Sequence, residues 1–142
     1  MTHTIRLEAE PDPDDMNAVV QGLVEYNRQH TGDPGPQYLL LTLRDDAQVL
    51  VGGLLGATYV GWLTVHTVWL EAALRGRGHG SRLMAEAERE AVRRGCPRVF
   101  LETFDFQALP FYEKLGYRVV TSLAGFPPGG VRYALTKELA PA

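Results

Sequence analysis

The chain has 142 residues with 45% apolar and 22% charged content, the size and make-up of one soluble domain, residues 1–142, able to bury about two-thirds of its unfolded surface. A net charge of −3 excludes a general basic surface for nucleic acid. No apolar run reaches membrane-spanning length and nothing resembles a signal peptide, so a cytoplasmic protein with no membrane partner is expected; Cys96 is the single cysteine, so no internal disulfide is possible, and no Cys/His spacing suits a metal.

In chain order, residues 4–8 alternate as a strand. Asp12 and Pro13 read as N-cap and first residue of a helix, with Asp14 and Asp15 on its positive end. Met16, Val19, Val20, Leu23 and Val24 recur at three and four to form one apolar face, and Glu25, Tyr26 and Asn27 close the helix before a Gly/Pro loop at 32–36. Residues 38–43 and 49–58 are strands joined as a hairpin around Asp45 and Asp46, and Gly61 turns the chain into a third strand. That strand runs to a turn, Arg75-Gly76-Arg77-Gly78-His79-Gly80, and a helix with apolar Leu83, Met84, Ala87, Ala91 and Val92 leaves it. Gly95 ends this helix at C′, with Arg93 and Arg94 in its last turn, and Cys96 behind it reads as a small buried residue. A strand at 99–104 precedes a short helix. Pro110 is tolerated only in a first turn, so that helix is expected to begin at about 106–107 with Asp105 as its cap. Strands at 117–122 and 131–136 flank a Phe126-Pro127-Pro128-Gly129-Gly130 loop. The sheet is therefore antiparallel at its start and parallel across the strand–helix–strand unit, whose crossover must be right-handed. The last strand is expected at a sheet edge that needs cover, and hence a homodimer is expected.

The turn at 75–80 carries most of the functional information. Glycine lets successive N–H groups turn toward one point, and the helix that follows adds unpaired N–H groups and the positive end of its dipole. Such a turn cradles an anion, and Arg75, Arg77 and Arg82 surround it with positive charge, so the ligand is expected to carry phosphates. A P-loop would need Gly-Lys followed by Ser or Thr, and a dinucleotide fingerprint would need G-x-G-x-x-G, whereas the glycines here fall at 76, 78 and 80. What remains, Arg-x-x-Gly-x-Gly, resembles the pyrophosphate-binding motif of the GNAT superfamily of acyl-CoA-dependent N-acyltransferases. One helix and one strand later, Gln107-Ala108-Leu109-Pro110-Phe111-Tyr112-Glu113-Lys114-Leu115-Gly116-Tyr117 resembles the second motif of that superfamily. The resemblance spans roughly residues 48–120. It implies an α/β fold of the GNAT kind, a mixed, mostly antiparallel sheet of about seven strands flanked by helices, with acetyl-CoA as the cosubstrate.

The chemistry and the resemblance together nominate residues. An alkyl amine, with a pKa near 10, must arrive deprotonated; the oxyanion formed on attack needs hydrogen-bond donors, and the departing thiolate needs a proton. By resemblance Tyr112 is the general acid, and Arg75, Gly76, Arg77, Gly78, His79, Gly80 and Ser81 hold the cofactor's phosphates. Leu70, Glu71 and Ala72 pair their backbone with the pantetheine amides as an extra strand would. Asp105 stands where the family commonly has asparagine, so Gln107 is expected to take over that polar contact. His66 has the intrinsic pKa of a base near neutrality; Glu71 and Glu102 are further candidates, and Glu25, Tyr26, Asn27 and Glu102 are assigned to the amine pocket. These readings imply an N-acetyltransferase moving an acetyl group from acetyl-CoA to a primary amine of a small molecule by direct attack in a ternary complex. The alternatives are a protein N-terminal or lysine acetyltransferase and a catalytically silent acyl-CoA sensor.

Overall fold

The structure, a computed structural model, describes residues 1–140 and divides into two compact units between Gly35 and Pro36. The first unit holds helix α1, Pro13–Thr31. Asp12 caps it by accepting from the Asp14 N–H at 2.8 Å, Pro13 occupies its first turn, and Gly32, at φ 75°, ends it by donating to the Arg28 carbonyl at 2.8 Å. Val24 is the buried residue of the helix; Met16, Val19, Val20 and Leu23 are exposed. Residues 4–8 form no strand, because alternation makes a strand only where a ladder receives it, and Ile5 and Leu7 stand in solvent.

The second unit carries β1 (Gln37–Arg44), β2 (Leu50–Tyr59), β3 (Trp62–Leu70), a 3₁₀ turn (Ala72–Leu74), α2 (His79–Arg93), β4 (Arg98–Phe104), α3 (Leu109–Lys114), β5 (Arg118–Ala124) and β6 (Val131–Glu138). The strands form one six-stranded sheet in the order β1-β2-β3-β4-β6-β5, so the count is six and the expected seventh, residues 4–8, is the one missing. Every pair is antiparallel except β3 with β4, the pair spanned by α2. The β1–β2 hairpin turns where expected, on the Asp45 carboxylate, which accepts from the Ala47 and Val49 N–H groups at 2.8 and 3.0 Å.

The last strand is not at an edge. β6 lies between β4 and β5, paired to β4 from Arg98↔Glu138 to Phe104↔Arg132. Burial explains the choice: β6 contributes Ala134 and Leu135 to the interior, whereas every residue of β5 is exposed, so β5 takes the edge.

Helix α2 lays Leu83, Met84, Ala87 and Ala91 into a core shared with Leu63 and Val65 of β3, Val99 and Leu101 of β4, and Leu135 of β6. Alternation sets which side of β4 this is: Val99, Leu101 and Thr103 are buried, while Arg98 and Glu102 point the other way into solvent. Gly95, at φ 79°, closes α2 with two bonds, Cys96 N–H to the Ala91 carbonyl at 2.8 Å and Gly95 N–H to the Val92 carbonyl at 3.0 Å. Cys96 is buried.

Candidate active site

The site starts from a break in the sheet. β3 and β4 pair only from Trp62↔Arg98 to Val65↔Leu101, yet β3 continues to Leu70 and β4 to Phe104. Past Val65, the backbone edge of β3 that faces β4 has no strand partner. The divergence begins at a bulge: in the β2 ladder Leu55 faces Thr67 and Gly56 faces Val65, which leaves His66 as the extra residue. A bulge adds twist and bends its strand, and here it turns β3 away from β4 at the point where pairing stops. The opening holds a cavity of about 240 Å³ lined by His66, Thr67 and Val68 on one side and by Leu101, Glu102, Thr103, Gln107 and Tyr112 on the other. Four residues nominated from sequence, His66, Glu102, Gln107 and Tyr112, thus meet in one cavity.

The glycine turn leads into α2. Gly76 and Gly78 have φ of 73° and 83°, a left-handed region costly to residues with a Cβ. Gly78 is the N-cap of α2 and supplies no capping side chain. The first helical bond runs from the Arg82 N–H to the Gly78 carbonyl at 3.1 Å, so the N–H groups of His79, Gly80 and Ser81 have no helical acceptor. Gly80 serves a second purpose, since a Cβ there would sit 3.2 Å from Cζ of Phe111; its absence lets α3 close on α2. Among the basic residues, Arg75 folds back to donate from Nε to the Leu70 carbonyl at 3.2 Å and Arg82 meets Nδ1 of His79 at 3.1 Å.

The three residues nominated for backbone pairing, Leu70, Glu71 and Ala72, straddle the end of β3. The strand ends at Leu70; the Glu71 N–H is taken by the Val51 carbonyl at 3.0 Å, and Ala72 has entered the 3₁₀ turn. The part of β3 without a β4 partner runs from residue 66 to residue 70.

Tyr112, on α3, is 8% exposed, its ring edge-on to Phe111 at 5.0 Å and Tyr117 at 5.9 Å. The two tyrosines differ in their hydroxyls. Tyr117 donates to Glu88 at 2.8 Å, and Glu88 also accepts from Lys137 at 2.9 Å, so its proton is committed. The Tyr112 hydroxyl makes no hydrogen bond among the described residues and lines the cavity. Burial pushes its phenol above the ordinary value, so it stays protonated through neutral and mildly alkaline pH: a donor, not a base.

On β4, Glu102 accepts from Nε of Arg132 at 2.7 Å. That hydrogen bond, with the adjacent positive charge, holds the Glu102 carboxyl below the ordinary carboxylate range, so it remains ionised and is a poor proton acceptor. Arg132 in turn lies 5.0 Å from the ring of Phe104 and 4.8 Å from that of Phe126, and Phe106 stacks on Phe104 at 5.3 Å. None of Arg132, Phe104, Phe106 and Phe126 was singled out from the sequence; the Phe104↔Arg132 register brings them together, and no local signal encodes a register across 28 residues.

Gln107 and Asp105 both bond to neighbouring strands. Gln107 Oε1 accepts from the Phe104 N–H at 2.7 Å and from the Thr103 hydroxyl at 3.3 Å, so it fixes the end of β4. Asp105 caps nothing: α3 begins at Leu109 behind Ala108, with Pro110 still in the first turn. The Asp105 backbone and carboxylate are instead drawn to β6, its N–H to the Val131 carbonyl at 2.9 Å and its Oδ2 to the Val131 N–H at 3.2 Å. Glu25, Tyr26 and Asn27 lie inside α1 of the first unit, which continues to Thr31; Glu25 pairs with Arg28 at 3.4 Å and Tyr26 packs on His30 at 5.0 Å.

Comparison with known proteins points the same way. The model of the acetyltransferase (GNAT) family matches residues 3–117. A blasticidin-S acetyltransferase of Streptomyces morookaense is 46% identical over 91 residues, 63% of this chain and 67% of that one. Acetyltransferase Atu2258 of Agrobacterium fabrum is 36% identical over 118 residues, 83% of this chain and 86% of that one. A crystal structure from Agrobacterium tumefaciens, 33% identical, superposes with a TM-score of 0.88 over 96% of this chain and 100% of its own.

Proposed function

This chain belongs to the GNAT family of acetyltransferases, and on that premise we propose that it transfers the acetyl group of acetyl-CoA to a primary amine of a small molecule, with residues 1–142 acting as one catalytic domain. The observation that carries the proposal is the unpartnered Tyr112 hydroxyl in a cavity that opens where β3 and β4 part. The fit to CoA rests on the same features. An extended chain bearing amides can add as a strand would to the edge of β3 that has no strand partner past Val65, and its diphosphate suits the unpaired N–H groups at His79, Gly80 and Ser81, with Arg75, Arg77 and Arg82 about them.

Acetyl-CoA supplies an acetyl group activated as a thioester. The chain's own residues do the rest. Tyr112 holds a proton at its Oη, kept there by burial, and delivers it to the sulfur. His66, exposed at the bulge on the same cavity, is the side chain suited to take the proton from the amine. The bulge also leaves His66 without a partner in the β2 register, and a backbone N–H there is the kind of donor an oxyanion needs. Glu102, held ionised by Arg132, supplies charge to the acceptor side and does not serve as the base. A small acceptor, in preference to a protein one, draws support from the similarity to a protein named blasticidin-S acetyltransferase and from the modest cavity, about 240 Å³. No helix among the described residues is long and apolar enough to cross a membrane; cytoplasmic residence and a homodimer complete the proposal. The test is release of free CoA from acetyl-CoA across polyamines, aminoglycosides, amino acids and peptides, with turnover expected for a small amine; turnover of peptides alone would refute the small-molecule reading.

A further inference from the structure

We propose that Arg132 determines acceptor specificity, its guanidinium receiving a carboxylate carried by the small amine that is acetylated. This rests on the transferase reading and names the acceptor class for the same site. The argument begins with how Arg132 is held. Its Nε is occupied by Glu102 at 2.7 Å, and its guanidinium lies 5.0 Å from the ring of Phe104 and 4.8 Å from that of Phe126. An arginine side chain carries about 2 kcal/mol of rotamer entropy, and here one hydrogen bond and two aromatic contacts have already removed much of it. The side chain is 27% exposed, and its two Nη nitrogens make no hydrogen bond among the described residues. A planar fork held in advance with donors left over matches a carboxylate, which takes two parallel N–H bonds.

Position completes the case. Glu102 lines the cavity that also holds His66 and Tyr112, and Arg132 is bonded directly to that lining residue. Glu102 is the positioning residue for Arg132, and it also narrows the choice of anion: with a carboxylate already on the guanidinium, a second monoanion is tolerated, while a phosphate dianion meets stronger repulsion. Phe106, 70% exposed and stacked on Phe104, offers an open aromatic face beside the fork for the apolar part of such an acceptor.

The test uses the intact protein, acetyl-CoA, and matched probes: the twenty proteinogenic amino acids, β-alanine and simple dipeptides, each beside its C-terminal amide, with spermidine as an amine lacking a carboxylate. Free acids are expected to exceed their amides by about ten- to hundredfold in kcat/KM, the value of one charge-assisted pair. Arg132→Gln is expected to erase that preference by raising KM for the acids while acetyl-CoA affinity, read by calorimetry, stays unchanged; Arg132→Lys restores part of it as a point charge. Equal use of acids and amides by the unmodified protein overturns the proposal, whether or not the variants fold. So does an acid preference that survives intact in a folded Arg132→Gln protein. A protein that binds acetyl-CoA and acetylates spermidine or aminoglycosides but no carboxylate-bearing amine overturns the proposal and leaves the transferase reading standing; one that neither binds acetyl-CoA nor turns over any amine overturns the transferase reading itself.

Discussion

Replacing Tyr112 by phenylalanine removes one oxygen and little else. The ring keeps its edge-on contacts with Phe111 and Tyr117, and the hydroxyl has no partner among the described residues, so no buried group is orphaned by its loss. The stability change should stay within about 0.5 kcal/mol, or about 2 °C in Tm for a chain of this size. Catalysis is expected to respond differently. A departing thiolate with a pKa near 8.5 lies about 1.5 units above neutral pH, so protonating it is worth about 2 kcal/mol, roughly thirtyfold in rate. That falls at the low end of what one general acid contributes. With an amine substrate in hand, Tyr112→Phe should lower kcat about ten- to thirtyfold, with acetyl-CoA affinity by calorimetry unchanged, because the hydroxyl acts on the transition state. The sign of the pH dependence follows from burial. Tyr112 is shifted upward from its ordinary value near 10, so its protonated form is favoured by the fold, that contribution is complete below pH 10, and it is lost only as pH climbs through the raised value. No loss of activity from this residue should appear on the alkaline side below about pH 10. Should kcat survive within twofold while chemistry limits the rate, Tyr112 is a core aromatic and the proton comes from elsewhere.

Gly78→Val should abolish CoA binding in a protein that still folds: a Cβ at position 78 meets nothing within 4 Å, so the cost is confined to a β-branched residue at φ 83° and to the N–H cradle it reshapes, and unchanged affinity by titration calorimetry would remove the anion-cradle premise. The edge strand β5, exposed throughout with Val119, Val120 and Leu123 on show, needs cover, and sedimentation is expected to give the mass of two chains at micromolar concentration; one chain would refute the homodimer.

Much of this protein could be read locally. Asp12 and Pro13 start α1 and Gly95 ends α2, because a cap is a contract between neighbours a few residues apart, although α1 runs to Thr31, past the close expected at residues 25–27. The anion cradle at 75–80 could be read for the same reason, since left-handed glycines and the free N–H groups of a helix start are consequences of adjacent residues. The short helix that carries Tyr112 was legible through the motif around it, though it starts at Leu109. What failed was whatever depends on a distant partner. Residues 4–8 alternate yet have no ladder; Asp105 looked like a cap but was claimed by Val131 of β6; the last strand lies inside, between β4 and β5, with Ala134 and Leu135 in the core. The bulge at His66 and the Phe104↔Arg132 register lie beyond any local signal as well. Tertiary structure alone decided where β3 and β4 part, and therefore which side chains share a cavity. The physical reason is that caps and turns are settled by bonds closed within one turn of chain, whereas strand order and register are settled by competition among whole strands for the same edges and the same core.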